Sequence, residues 1–374
     1  MITQSSPSIA IVGATGAVGR EMLLILADQG VETARLRAFA SPRSAGRRLP
    51  CGRGEVTIEA LAADSLDGID MALFSAGSNI SKQFGRAAAN RGTIIIDNSS
   101  AFRMDTDVPL VVPEINPEAL DGIDRLVATH DSRTHRGREP DSGCRPDRGR
   151  GAIIANPNCS TIVTLMAVTP IHRLLGVERL VVSTYQAVSG AGAAAMEELR
   201  RQARQVLDGQ TPTCTVFDQP CAFNVFSHNT AIGADGSNVE ETKMVRETHK
   251  IWGDASVRIS ATCIRVPVFR AHCASINLTL REPVSDLDAL RNAIAAFPGV
   301  RVVDDRAANR FPTPLQASGI DDVLVGRLRL DASQIDERGR CWGLNLFASG
   351  DQLRKGAALN AIQIANALTS HAGV

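Results

Sequence analysis

A short apolar run, Ile9-Ala10-Ile11-Val12, leads straight into Gly13-Ala14-Thr15-Gly16-Ala17-Val18-Gly19. A segment of helical apolar spacing follows, with Met22, Leu23, Ile25, Leu26 and Ala27 ahead of Gly30. This order limits the fold more than any other feature. A buried strand, a turn of spaced glycines and a helix are the opening of a βαβ unit. The glycines permit a tight turn and close approach of backbone to a pyrophosphate, and the helix N-terminus favours negative charge. Glycine spacing alone is weak evidence, because such a turn can carry no ligand. Its place after the first strand is what points to a dinucleotide, with Gly13, Thr15, Gly16, Ala17 and Val18 as the cofactor-binding positions.

The alternation continues. Strands are expected at 35–40, 71–74 and 93–96, with a helix over 81–90, and segments 111–113 and 151–155 are candidates to extend the same sheet. Strands alternating with helices argue for a parallel sheet covered on both faces. From Cys159 the pattern changes. Helices are expected over 162–175, 193–207, 240–252 and 286–296, and strands over 180–186, 257–265, 273–280, 322–330 and 341–348. That half reads as α+β with a mostly antiparallel sheet, and 353–368 reads as one amphipathic helix.

At 374 residues the chain is long enough for at least two domains. Lys plus Arg (40) balance Asp plus Glu (40), so no net basic charge points to nucleic acid. No polybasic run or long apolar span points to a membrane, and the start, MITQSSPS, has no signal-like apolar region. The eight cysteines are scattered, with none spaced C-x-x-C or beside a His in a zinc pattern. Reduced thiols and a cytoplasmic setting are expected. Segment 131–150 holds six Arg and no Val, Ile, Leu or Phe. It reads as an exposed loop, the alternative of an anion-binding arm being weakened by Asp131, Glu139, Asp141 and Asp147.

An NAD site commonly carries an acid at the end of the second strand for the ribose 2′-OH. Here that region is Phe39-Ala40-Ser41-Pro42-Arg43-Ser44, with no acid. Arg43 and Ser44 suit a 2′-phosphate, so NADP is the expected cofactor.

Asn156-Pro157-Asn158-Cys159 separates an apolar strand from an apolar-periodic helix. A thiol at a helix start sits among free N–H groups at the positive end of the dipole, which favours thiolate. The same N–H groups suit an oxyanion formed on thiolate attack at a carbonyl. A small packed cysteine is the plainer reading of that residue alone.

Taken together, the chain resembles the aspartate-semialdehyde dehydrogenase family. The matching segments are GATGAVG (13–19), SPRSAG (41–46), DNSSAFR (97–103), VPEIN (112–116), ANPNCSTI (155–162), YQAVSGAG (185–192), RVPVFRAH (265–272) and LRKGAALNAIQIAN (353–366). They span nearly the whole chain, and segment 131–150 is the main departure. The resemblance implies a Rossmann-type α/β nucleotide-binding domain over 1–157, completed by 353–374, and an α+β substrate and dimerisation domain over 158–352. It implies a homodimer. It also implies reversible, NADP-dependent reductive dephosphorylation of 4-phospho-L-aspartate to L-aspartate 4-semialdehyde, a step toward lysine, threonine and methionine.

The resemblance implies roles residue by residue. Cys159 is the nucleophile that forms a thioester, and His272 the acid/base, a type of side chain that titrates in a suitable range. Arg265 offers a fork for the substrate carboxylate. Glu240 takes the substrate ammonium, Gln186 positions the substrate, and Asn158 helps polarise its carbonyl. Arg103 and Lys243 bind phosphate, although Glu240 and Lys243 could equally form a surface i,i+3 pair. Ser189, Gly190 and Gln352 lie against the cofactor. Arg265 and His272 would face opposite ways in one regular strand, so Pro267 is expected to end or bulge it. The other histidines read as surface or satisfied core groups. A related acyl-phosphate reductase acting on N-acetyl-glutamyl phosphate would need no group for a free ammonium, so Glu240, DNSSAFR and RVPVFRAH weigh against it. A non-catalytic relative should have lost the nucleophile or the base, and this chain keeps Cys159 and His272.

Overall fold

The structure, a computed structural model of the chain, describes residues 7–123 and 151–369. Segment 131–150, His130 and His371 lie outside the described residues. The chain divides into two compact units. One takes the described parts of Met1–Pro113, Pro117–Asn156 and Asn360–Val374, and the other takes Glu114–Asn116 and Pro157–Leu359.

The first unit begins with β1 (Ile9–Val12), α1 (Ala17–Asp28) and β2 (Leu36–Ala40). A hairpin of β3 (Arg48–Cys51) and β4 (Gly54–Ala60) follows, then β5 (Met71–Phe74), α2 (Ser78–Ala89), β6 (Ile94–Asp97) and β7 (Ile153–Ala155). The sheet order is β3-β4-β2-β1-β5-β6-β7, parallel except for the hairpin. β1, β5 and β6 are buried at every residue, as strands covered on both faces must be. The order reverses at β1, with β2 on one side and β5 on the other.

The hairpin was not expected. Leu49, Cys51, Val56 and Ile58 alternate inward, but Pro50 and the flanking glycines mask the pattern. Pro50 is tolerated because β3 is the edge strand. Segment 111–113 is not a strand. Among the described residues the pairing there is one bridge, Leu110 to Ala155, and Pro109 and Pro113 have no N–H to continue a ladder. Nor is 353–368 one amphipathic helix. Arg354–Ala358 is a π-helical turn, and the α-helix that follows, Leu359–Thr369, buries Ala361, Ile362, Ile364, Ala365 and Leu368 on more than one face.

The second unit runs α3 (Cys159–Leu175), β8 (Val177–Gln186), α4 (Ala193–Leu207), β9 (Phe226–Ser227), α5 (Val239–Trp252) and β10 (Arg258–Arg265). It continues with β11 (His272–Val284), α6 (Leu287–Ala295), β12 (Val300–Val302), α7 (Pro314–Ala317), β13 (Val323–Leu330) and β14 (Cys341–Gly350). The sheet order is β12-β13-β14-β11-β8-β10-β9, and only the β12–β13 and β8–β10 pairs are parallel. α3 is buried at every residue from Ser160 to Ile171 and packs across β11. A helix apolar on all sides belongs in the centre of its unit.

Register then brings chemistry to one sheet edge. β8 and β10 run in parallel and end together, Gln186 opposite Arg265. β11 runs the other way and begins at His272, opposite Gly350 at the end of β14. The strand carrying Arg265 stops there, and residues 266–271 turn before β11 starts, so the seven-residue offset of Arg265 and His272 no longer forces them apart.

Candidate active site

In the first unit, the turn after β1 is built for close approach. Gly13 has φ of 91°, and a Cβ there would lie 2.8 Å from the Ser75 carbonyl group that follows β5. Gly16 is the N-cap of α1 and contributes no side-chain bond, and no acid occupies the first helical turn. Open N–H groups at a helix start beside the point of strand reversal fit a dinucleotide pyrophosphate. Thr15, Ala17 and Val18 belong to this turn and the first turn of the helix. Beyond β2, Arg43 is exposed in a short 3₁₀ turn with Ser44. The Glu59 carboxylate on the neighbouring strand is taken by Arg37 at 2.6 Å.

In the second unit, α3 starts at Cys159, which is half-buried. Asn158 caps it. Its Oδ1 accepts from Ser160 N (2.9 Å) and Thr161 N (3.2 Å), and its Nδ2 donates to Glu240 Oε1 (2.7 Å). The cap therefore consumes N–H groups that the sequence left open for an oxyanion. The π-helical turn packs behind the thiol: a Cβ on Gly356 would lie 3.0 Å from Cys159 Cβ and 3.3 Å from Gln352 Cβ.

His272 is fully buried. Its Nδ1 accepts from Ala187 N at 3.0 Å, so the neutral ring carries its proton on Nε2, and Nε2 has no partner. Burial, then repulsion from Arg265, pushes the imidazole down to about 3. Arg265 donates from Nη1 to Ala187 O (2.7 Å) and is also buried. Gly190 lies close against both groups. A Cβ there would sit 3.2 Å from His272 Nε2 and 3.5 Å from Arg265 Nη1. The Gln352 amide is committed, its Nε2 donating to Ser189 Oγ and its Oε1 accepting from Ala271 N (2.8 Å). That bond supports Ala271 at φ of 71° immediately before His272.

Gln186 Nε2 donates to Glu240 Oε1 (3.1 Å), and Lys243 Nζ lies 3.1 Å from Glu240 Oε2. Burial opposes the Glu240 charge. Lys243, His228 and the bonds from Asn158 and Lys243 outweigh it and hold the carboxyl at about 2. The i,i+3 pair is thus real, but it is buried on the Glu240 side and joined to the cap of the Cys159 helix. Arg103, in the first unit, is buried and donates from Nε to Asn156 O (2.9 Å) and from Nη2 to Asn98 O (2.8 Å).

Family models for the semialdehyde dehydrogenase NAD binding domain and dimerisation domain match residues 8–123 and 168–355. The aspartate-semialdehyde dehydrogenase of Synechocystis sp. is 46% identical over 360 residues, 96% of each chain. That of Aquifex aeolicus is 42% identical over 96% of this chain and 97% of its own. The crystal structure of aspartate semialdehyde dehydrogenase II from Vibrio cholerae complexed with ASA superposes with a TM-score of 0.84 at 38% identity, covering 97% and 98% of the two chains. The chain belongs to the aspartate-semialdehyde dehydrogenase family. It is an oxidoreductase with a nucleotide-binding Rossmann-type domain. Among the described residues no helix is long and apolar enough to cross a membrane.

Sequence reasoning missed part of the surroundings of the site in this aspartate-semialdehyde dehydrogenase family member. Glu247 accepts from Asn158 N at 2.6 Å. Glu198 on α4 accepts from the N–H groups of Thr215, Val216 and Phe217 and fixes that loop, and the Arg265 guanidinium lies over the Phe217 ring at 5.6 Å. His228 meets Arg265 directly. No local pattern marks it. It arrives through the two-residue β9, whose Phe226 pairs with Arg265 itself.

Proposed function

We propose that the chain interconverts 4-phospho-L-aspartate and L-aspartate 4-semialdehyde with NADP, through a thioester on Cys159. One observation carries the reading: His272 Nε2 and Arg265 Nη1 come together against Gly190, in the unit that carries Cys159. In the reductive direction Cys159 Sγ bonds to the acyl carbon, and the bond from that carbon to the phosphate oxygen breaks, releasing phosphate. When bound, the reduced cofactor supplies the hydride. The carbon–sulfur bond then breaks, releasing the aldehyde and restoring Cys159. His272 works as a neutral ring that lends its Nε2–H to the substrate oxygen and recovers it as the aldehyde forms, since Nδ1 is held by the Ala187 N–H.

Arg265 takes the substrate carboxylate, Glu240 its ammonium with Gln186 beside it, and Asn158 lies next to the reacting carbonyl. Lys243 and Arg103 are the phosphate cations. The turn at Gly13, Thr15, Gly16, Ala17 and Val18 takes the pyrophosphate, Arg43 and Ser44 the 2′-phosphate, and Ser189, Gly190 and Gln352 the nicotinamide side. The Gln352 contact acts through Ser189, because both ends of its amide already have partners. The first unit is the NADP domain. The second is the substrate domain, and through its sheet the chain forms a homodimer. The step supplies lysine, threonine and methionine synthesis in the cytoplasm.

The test is NADP reduction with aspartate semialdehyde, with and without phosphate. Turnover that needs phosphate and is much slower with NAD is expected. Phosphate-independent turnover would remove the acyl-phosphate step, and equal rates with NAD would remove the cofactor preference.

A further inference from the structure

Arg265 is 2% exposed, yet among the described residues every hydrogen-bond partner it has is neutral. Nη1 donates to Ala187 O, and Nη2 donates to His228 Nε2 (2.8 Å) and Asn229 Oδ1 (3.3 Å). Nε has no partner, and among the described residues no carboxylate lies within ion-pair distance. A buried guanidinium is costly unless a counter-charge arrives. This cation is therefore held in place with no counter-charge in its hydrogen-bond shell, and Cys159 and Glu240 act on it only through space.

His228 makes the shorter of the two side-chain bonds to it. Because Arg265 can only donate, His228 Nε2 must accept, and the ring proton is on Nδ1, which faces Thr230 Oγ1 at 3.4 Å. The Thr230 hydroxyl also accepts from Glu240 N (3.3 Å). The charged groups acting on His228 are Glu240, Arg265 and Lys243. Its own backbone N–H donates to Cys263 O on β10 (2.8 Å), which ties the loop alongside the strand that ends at Arg265. A carboxylate in this place would orient the guanidinium equally well, but it would neutralise it. An imidazolium would repel it.

We propose that His228 is a positioning residue for Arg265. As an uncharged acceptor it aims the guanidinium without adding a counter-charge of its own, so that aldehydes bearing a carboxylate are selected over those without one. The inference rests on the assignment of Arg265 to that carboxylate.

The experiment compares His228→Ala, His228→Gln and His228→Asp, using steady-state kinetics with aspartate semialdehyde and with propanal as an uncharged aldehyde. With one charge-assisted bond removed, His228→Ala should raise KM for aspartate semialdehyde about tenfold, with kcat within about threefold. KM for phosphate and the alkylation rate of Cys159 should not move. His228→Gln, which keeps a neutral acceptor, should recover most of the loss. His228→Asp should raise KM further than His228→Ala and narrow the preference over propanal. A residue needed only for folding would not rank Asp below Ala. If His228→Ala is unstable, the Gln and Asp pair decides. KM unchanged in Asp, or equal loss in Gln and Asp, overturns the proposal. Arg265→Lys is the control: if it leaves KM for aspartate semialdehyde unchanged, the carboxylate assignment fails by itself, whatever His228 does.

Discussion

Asn158 Nδ2 and Glu240 Oε1 are joined by a 2.7 Å hydrogen bond, so the residue that caps the Cys159 helix also holds the acid beside Lys243. One side chain thereby serves two elements, α3 and α5. Asn158→Ala removes the cap and leaves a buried carboxylate oxygen with one donor fewer. A loss of about 1–3 kcal/mol in urea unfolding is expected, from the cap and the exposed desolvation cost. Asn158→Asp keeps the cap oxygen but sets a second carboxylate against Glu240. It should restore little of the stability. Equal stability of Asp and wild type would contradict this arrangement.

Cys159→Ser should abolish turnover while leaving cofactor binding intact. The hydroxyl is a far weaker nucleophile at neutral pH, and the cap that sets the helix start uses Asn158 rather than the thiol. The check is activity together with a fluorescence titration of NADPH. Turnover of more than a few per cent would remove Cys159 from the mechanism.

Gly190→Ala tests the close approach of that residue to His272 and Arg265. Its backbone is not in the left-handed region, so alanine adds no conformational strain. The added methyl would lie 3.2 Å from His272 Nε2 and 3.5 Å from Arg265 Nη1. A fall of about a hundredfold in kcat/KM is expected, the size seen when reacting groups are displaced by about 1 Å. A variant as active as wild type would mean that substrate does not approach there.

What was legible in the sequence was local. The strand, glycine turn and first helix follow from chemistry within some twenty residues, and the Asn-Pro-Asn stretch marks where α3 begins. The convergence of Gln186, Arg265 and His272 was not local. It depends on β8 and β10 ending in register and on β11 starting at the same edge, which the apolar pattern of each strand does not encode. His228 depends on a pairing two residues long. The β3–β4 hairpin was hidden by Pro50, whose cost vanishes only because β3 is an edge. The π-helical turn behind Cys159 was hidden because its residues, RKGAA, have ordinary helical composition.

Arg43→Ala should raise KM for NADP about tenfold to a hundredfold and leave KM for NAD nearly unchanged, since a charge-assisted bond to the 2′-phosphate is lost and nothing else is. Arg43 is exposed, so stability should not move. Parallel loss of affinity for both cofactors would place Arg43 elsewhere.

Acid should weaken the fold through its buried imidazoles. Burial pushes His228 down to about 4 and His272 to about 3, against 6.5 in an open chain. Below pH 6.5 the unfolded chain therefore binds protons that the folded chain refuses, and stability must fall as pH falls toward those values. It is fully present above pH 6.5. Each such histidine contributes a slope of up to about 1.4 kcal/mol per pH unit. Glu240, held at about 2 against 4.5, adds the same sign of change at lower pH. Its stabilisation is complete above 4.5 and is lost as pH drops through 2. Urea midpoints between about pH 7 and about pH 5.5 measure the imidazole part with little from the carboxylates. His228→Gln should flatten that dependence by about one proton, because glutamine does not titrate in either state. An identical slope in the variant would mean that His228 is protonated in the folded chain, and Arg265 would then face a cation instead of an acceptor.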